Sequence, residues 1–395
     1  MTYDVLTPSA ARLWDYGPDW SRGYEFTRSF KTDIITSRNG TEQRRALRDV
    51  PRLSMRYATM LREGAGNHFL RAWQNKPAAI PDYGRHALTT AAASGGNTSI
   101  TVASPWIAEG QILVLCGAVH EMVVVDGVSG STVSLTGALS NAWPSGSVVR
   151  PGIFGLLSGS LNASRLRRGA KELQVGFAAY PGGEPPEDEG TASDTFNGYE
   201  VLTAEPDWSA SPGIEHIWPV EQIDFGYGRT AQFRPIERAE TVTEAEYSGL
   251  SRAGAQAIEQ TFLRAKGRRG AFYRPTTEKD FTLAATATSG TSTFLAAGTD
   301  IATDFGSLDF DEQPEAIEVV KVDGTRIRRL ITGISSTGVN SQITVNSPWP
   351  SDLTAANVAR ISWMPLVRFA SDDLTTLWRT PLSATIRASF QSVKA

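Results

Sequence analysis

The side chains best suited to metal ligation or nucleophilic work are four histidines, His68, His86, His120 and His216, and one cysteine, Cys116. None of the histidines stands at ligand spacing from another histidine, a cysteine or an acid, so no zinc-type site is written in the chain. Cys116 closes the apolar run Ile112-Leu113-Val114-Leu115-Cys116, the setting of a buried, inert thiol. Asp309-Phe310-Asp311-Glu312 is the densest acidic cluster. It lacks the ligand spacing of a calcium loop and reads as an acidic surface loop. There is no phosphate-binding glycine loop and no Gly-x-Ser-x-Gly elbow. A glycosidase-type carboxylate pair would meet only in space, and nothing in the sequence points to one. The sequence offers no catalytic residue, no cofactor-binding residue and no metal ligand. The expectation is a protein that is not an enzyme and carries no cofactor.

With no chemistry to position, the elements themselves become the subject. A chain of 395 residues suggests two to three domains. Its 41% hydrophobic and 20% charged residues are ordinary for a globular protein with a sizeable core. A net charge of −4 gives no electrostatic case for nucleic-acid binding by the whole chain. The cations are 31 Arg against 7 Lys. Guanidinium forks suit bidentate contacts at interfaces, and genome base composition yields the same bias. One cysteine excludes an intrachain disulfide framework. Met1-Thr2-Tyr3-Asp4 starts no signal peptide, and no run has the length of a transmembrane helix.

The strongest pattern is repetition. Phe69-Leu70-Arg71-Ala72 recurs as Phe262-Leu263-Arg264-Ala265. Pro18-Asp19-Trp20 recurs as Pro206-Asp207-Trp208, and Trp143-Pro144-Ser145 as Trp349-Pro350-Ser351. Gly40, Gln43 and Arg44 are echoed by Gly228, Gln232 and Arg234, and Val148-Val149-Arg150 by Val358-Ala359-Arg360. The matches keep their order while the offset grows along the chain, as small loop insertions in a duplicated unit would produce. A domain-sized period implies two related halves rather than a solenoid.

Read in order, residues 1–30 form an aromatic-rich arm with one short strand. Strands are expected at Thr32–Ser37, Gln43–Asp49 and Leu53–Leu61, the first pair joined by a turn at Arg38-Asn39-Gly40. In the last strand Leu53, Met55, Tyr57 and Thr59 alternate, and Arg44, Arg45, Arg48, Arg52 and Arg56 read as a solvated face or as an interface with an acidic neighbouring ring. Asn67–Asn75 reads as a short helix stopped by Pro77. Its counterpart is longer, with Thr243 and Glu246 as a capping box, Tyr247, Leu250, Ile258, Phe262 and Leu263 at helical spacing, and Gly267 and Gly270 at its end. Residues 84–150 and 283–361 turn to Ser, Thr, Gly and Val in short alternating strands. Turns are expected at Asp126-Gly127, Ser129-Gly130 and Asp323-Gly324, and each stretch reads as a small barrel or sandwich. Phe154–Phe177 and Leu366–Phe390 each read as two strands joined by a loop or helical turn. Residues 181–200 read as an exposed flexible linker. The fold class expected is mainly β with short helices, a β-rich α+β chain of two duplicated halves, each carrying an inserted small β-barrel.

Three stretches carry a family resemblance. They are Ile35–Arg45 with Pro51-Arg52-Leu53, Lys266–Tyr273 after a helix, and Phe369-Ala370-Ser371-Asp372-Asp373 leading into Trp378. Together they resemble the distal tail and baseplate hub proteins of bacteriophages with long non-contractile tails and of gene transfer agents. The resemblance covers about half of the chain, in pieces, and its motifs are structural. It implies a first tube-like domain at 31–83 plus 151–180 and a second at 201–282 plus 362–395, with inserted barrels at 84–150 and 283–361. It implies a virion structural protein that assembles in the host cytoplasm and forms a homo-oligomeric ring at the tail tip. Its neighbours would be the tail tube, tape-measure, and hub or fibre proteins, with DNA passing the lumen without specific binding and no membrane insertion. Simpler members carry one such domain and form hexamers. Two copies per chain favour a trimer that acts as a pseudo-hexamer. The competing expectation is a carbohydrate-binding phage adhesin using the barrels, with Trp106, Trp143 and Trp349 as candidate sugar platforms.

Overall fold

The structure, a computed structural model, describes residues 12–37, 41–62, 73, 76–102, 106–157, 162–167, 170–180, 187–209, 212–217, 220–224, 226–228, 230–233, 240–306 and 315–393. The chain is mainly β with short helices. The first half opens with β1 (Arg12–Leu13), β2 (Tyr24–Ser29), β3 (Thr32–Thr36), β4 (Glu42–Ala46), β5 (Arg52–Arg62) and β6 (Pro77–Pro81). Its insert holds β7 (Ala87–Leu88), β8 (Ser99–Thr101), β9 (Ile112–Cys116), β10 (His120–Ser129) and β11 (Thr132–Leu135). β12 (Val148–Leu157) runs back out of the insert, and β13 (Asn162–Arg167) and β14 (Ala170–Ala179) close the half.

After the short pair β15 (Thr195–Phe196) and β16 (Tyr199–Glu200) come β17 (Ile214–Ile217), β18 (Glu221–Asp224), β19 (Thr230–Phe233) and β20 (Glu240–Leu250). Helix α1 (Arg252–Ala265) and β21 (Phe272–Tyr273) lead to the second insert. It contains β22 (Thr293–Ala297), α2 (Asp300–Phe305), β23 (Glu315–Lys321), β24 (Arg326–Thr337), β25 (Asn340–Val345) and β26 (Val358–Trp363). β27 (Leu366–Phe369), β28 (Asp373–Thr380) and β29 (Ser383–Ser392) finish the chain.

The ladders assemble an antiparallel sheet in the order β17-β20-β29-β28-β2-β5-β14-β13. Period-two patterning explains its sidedness. Tyr24 and Phe26, Leu53, Met55 and Tyr57, Leu173, Val175 and Phe177, Ala245 and Tyr247, and Ile386 and Phe390 all face one way into a shared core. Helix α1 covers that face with Ile258, Phe262 and Leu263. The opposite face carries Glu25, Thr27, Ser54, Arg56, Gln174, Glu244, Thr375 and Arg387, all partly or fully exposed.

The same pairing recurs in the two halves. β2 pairs β5, β5 pairs β14, and β14 pairs β13 and β12; β17 pairs β20, β20 pairs β29, and β29 pairs β28 and β27. Asp19 N–H donates to Ala58 O, and Asp207 N–H to Glu246 O, each at 2.7 Å. The two aspartates also take Ser21 N–H and Ser209 N–H respectively. The inserts share one strand order as well, β8-β11-β10-β9-β12 against β22-β25-β24-β23-β26. Their bulges match, between Val125 and Gly127 and between Ile331 and Gly333. Each insert has its own apolar cluster.

Several expectations change. The matching Trp-Pro-Ser triplets are not equivalent in space. Trp143 bridges Ala93, whereas Leu353, four residues beyond Trp349, bridges Ala287. Trp349 O accepts from Gly290 N–H, as Leu139 O accepts from Gly96 N–H. Asp126-Gly127 is the bulge inside β10, not a turn, while Gly130 and Gly324 do take the positive φ of hairpin turns, 60° and 85°. The closing stretches hold three strands each, with no helical turn among the described residues.

Helix α1 starts eight residues later than the Thr243 box implies, with Ser251 rather than Thr243 as its cap. Thr241, Val242 and Thr243 are β-branched, and β20 is paired on both edges, by β17 and β29. Gly249, at φ +61°, and a register shift after Tyr247 end the strand. Ser251 then caps the helix by accepting from Gly254 N–H. Lys266 and Gly267 close it in the left-handed region, their N–H groups donating to Leu263 O and Phe262 O. Residues 1–30 are less an arm than expected, since Tyr24–Ser29 is a central strand. The Asn67–Asn75 helix apart from Trp73, the Arg38-Asn39-Gly40 turn and the Asp309–Glu312 cluster lie outside the described residues.

Candidate functional site

Among the described residues no group of His, Cys, Asp and Glu could hold a metal ion. His216 is exposed on β17, its Nδ1 3.1 Å from Thr241 Oγ1. His86 is half-buried, and burial, with Arg252 and Arg150 nearby, lowers its pKa. Cys116 donates to Val114 O, and burial pushes its thiol up to about 11. A thiol that stays protonated is a poor nucleophile. The three candidate platform rings are buried, Trp106 at 8%, Trp143 at 4% and Trp349 at 1% exposure. They fill the insert cores and cannot stack on a sugar from solvent.

The site that organises the molecule is the joint between its halves. β2 pairs β28 over its whole length, with Tyr24 opposite Trp378, Phe26 opposite Thr376 and Ser29 opposite Asp373. Beyond the ladder, Asp372 gathers the start of β3. Its O accepts from Phe30 N–H at 2.9 Å, Oδ2 from Thr32 N–H at 2.7 Å and Oδ1 from Thr32 Oγ1 at 2.8 Å. Arg268 N–H donates to the same Oδ1 at 3.0 Å. Arg368, 1% exposed, forks onto Glu42 through Nε at 3.0 Å and Nη2 at 2.8 Å. Phe30 stacks on Phe262 with ring centroids 5.6 Å apart. The β3–β4 hairpin is therefore an arm that clasps the other half.

Under the joint lies a pocket lined in part by Arg28, Arg85, Glu187, Arg252, Glu259 and Trp378. Its charges are internally paired. Arg28 Nη1 is 2.9 Å from Glu259 Oε1, and Arg28 Nε is 3.2 Å from Glu187 Oε2. Arg85 Nε is 2.8 Å from Asp82 Oδ2, and Thr376 Oγ1 donates to Glu259 at 2.5 Å. Burial alone would lower the Arg28 pKa; Glu187 and Glu259 outweigh it and hold the guanidinium charged. Arg252 donates to Gly84 O and Pro381 O and lies over the Trp378 ring. A pocket whose cations and carboxylates neutralise each other in this way acts as an electrostatic lock between the segments that line it.

The linker takes part in that lock: over its described residues, 187–200, it is exposed at many positions, as expected, but anchored by specific contacts rather than unattached. Asp188 accepts from Gln256 and Gln260 of α1, and Glu200 takes the Arg264 fork, with Nε at 2.9 Å. Phe196 packs edge-on against Tyr273. Asp194 binds Arg328 at 2.7 Å, and Arg328 with Arg326 clamps Glu318, a fully buried carboxylate of the second insert.

The second half has an equivalent arm, β18–β19, paired to itself. Around it Ile214 is 55% exposed, Ile217 40% and Tyr227 94%, and Val220, Ile223 and Phe233 are exposed too. Exposed apolar side chains thus lie along both β17 and the β18–β19 hairpin. Sequence reasoning assigned no role to this stretch; its exposure emerges only from the strand pairing of the described residues. No protein-family model and no curated protein sequence matches the chain.

Proposed function

We propose that the protein is a ring-forming structural component of a bacteriophage tail tip or baseplate, arising from duplication of one unit. On this reading it joins the tail tube to hub or fibre proteins and leaves a channel for DNA. The observation that carries the reading is the eight-strand sheet, polar on one face and covered on the other, built from two like-paired halves, with an unpaired edge at each end among the described residues. An open sheet edge is an aggregation hazard that closure removes. Repeated head-to-tail contacts between copies give rings when the rotation closes. A closed ring of such sheets places a polar face on one side and the helix-covered core on the other, which suits a solvent-filled channel. Three chains supply six like units and favour a trimer over a hexamer. The resemblance of Ile35–Arg45, Lys266–Tyr273 and Phe369–Trp378 to distal tail and hub proteins supports the placement in the virion.

Electron microscopy of the purified protein tests the reading. Annular particles with an axial opening are expected, and compact particles without one would overturn it.

A further inference from the structure

We propose that β17 of one copy pairs antiparallel with β13 of the next, with Ile214 opposite Ala163, so that the seam between chains repeats the seam inside the chain. This rests on the ring-forming reading and names the surface that forms it.

The register follows from the ladders. Asp19 is bonded to Ala58 and Asp207 to Glu246, which makes Ala58 and Glu246 equivalent positions. Three residues before each stand Met55, opposite Phe26, and Thr243, opposite Ile214. Ile214 therefore holds on β17 the place of Phe26 on β2. One residue before each anchor stand Tyr57, opposite Val175, and Ala245, opposite Ala388. Two residues back along those partner strands, Leu173 faces Ala163, and Ile386 faces Thr376. Ala163 therefore holds on β13 the place of Thr376 on β28. Inside the chain Phe26 faces Thr376. The same operation between chains sets Ile214 against Ala163, Gly213 against Ser164 and Glu215 against Asn162.

Both strands are suited to it. Among the described residues β17 pairs with β20 alone and β13 with β14 alone, and they are the two ends of the sheet. Every residue of β17 is exposed, and so are Ala163 and Ser164. The arms agree as well. The β3–β4 arm is held by Arg368 on Glu42. Leu156 stands on β12 where Arg368 stands on β27, as their partners Ala178 and Gln391 show. The arm meant for this apolar receiver, β18–β19, presents exposed Ile223, Phe233 and Tyr227 alongside its acids Glu221 and Asp224. An ionic clasp within the chain is matched by an apolar clasp between chains, so the partner is a second copy.

Directly opposed residues in an antiparallel pair lie within reach of a disulfide. In a Cys116→Ser background, Ile214→Cys with Ala163→Cys should give, under mild oxidation, a ladder of disulfide-linked chains on a denaturing gel, ending at the mass of the native ring. Mixing the two single variants should give linked dimers, and neither variant alone should. A ring of unchanged native mass with no crosslink would overturn this seam while leaving the ring reading intact. Protein that neither crosslinks nor forms a ring would overturn both.

Discussion

At the residue scale, the arginine-rich composition acquires a use. Arg28, Arg264, Arg328 and Arg368 each meet a carboxylate belonging to another part of the chain. Removing one partner of a buried pair strands the other charge. Arg28→Ala leaves Glu259 and Glu187 without their shared cation, and it should lower unfolding stability by about 3–5 kcal/mol in denaturant melts. Glu121 makes the second residue-scale case. Its carboxylate accepts from Ser140 N–H at 2.5 Å, Trp143 Nε1 at 2.9 Å and Asn141 N–H at 3.2 Å. Burial would raise its pKa, and these donors outweigh burial and lower it. A folded pKa below the unfolded one gives stability that is complete above the unfolded value, roughly pH 4.3, and lost as pH falls through the folded value. Near-ultraviolet circular dichroism of Trp143 should track that loss. Glu121→Gln should remove the acid dependence and cost about 1–3 kcal/mol at neutral pH. Neither cluster was legible in the sequence, because Arg28 and Glu259, or Glu121 and Ser140, become neighbours only through strand pairing.

At the element scale, much was legible. Leu53, Met55, Tyr57 and Thr59 alternate as a half-buried strand must, and all four are buried. Short strands at Thr132–Leu135, Ile112–Cys116 and Asn340–Val345 lie where β-branched runs and turn residues put them. The start of α1 was misplaced because a Thr-x-x-Glu spacing also occurs along a strand, and pairing on both edges of β20 decides the matter. Ser251→Ala should therefore cost about 1 kcal/mol, whereas Thr243→Ala should leave helix content unchanged by circular dichroism. Phe262→Ala, which empties the helix face against Phe30 and Phe369, should cost about 3–5 kcal/mol. The Trp-Pro-Ser triplets show how a short match misleads. Identical letters sit four residues out of register in the two inserts, while unlike residues, Trp143 and Leu353, make the equivalent bridge.

At the scale of the whole molecule, the sheet is the feature that ties the two halves together. Its internal joint uses a full-length ladder, a clasping hairpin and a buried ion network, and its two ends present the same kinds of strand without those partners among the described residues. The sequence repeats pointed to two halves. They did not reveal that β2 joins the second half or that β13 and β17 become the sheet's ends, since that depends on which strands lie side by side. The central claim is that these ends meet in a closed ring. Its most direct measurement is the solution mass of the purified full chain by native mass spectrometry and light scattering across a wide concentration range. A closed species of three chain masses that does not grow further as concentration rises is expected. A single chain mass throughout, or open-ended growth without a limiting size, would contradict it.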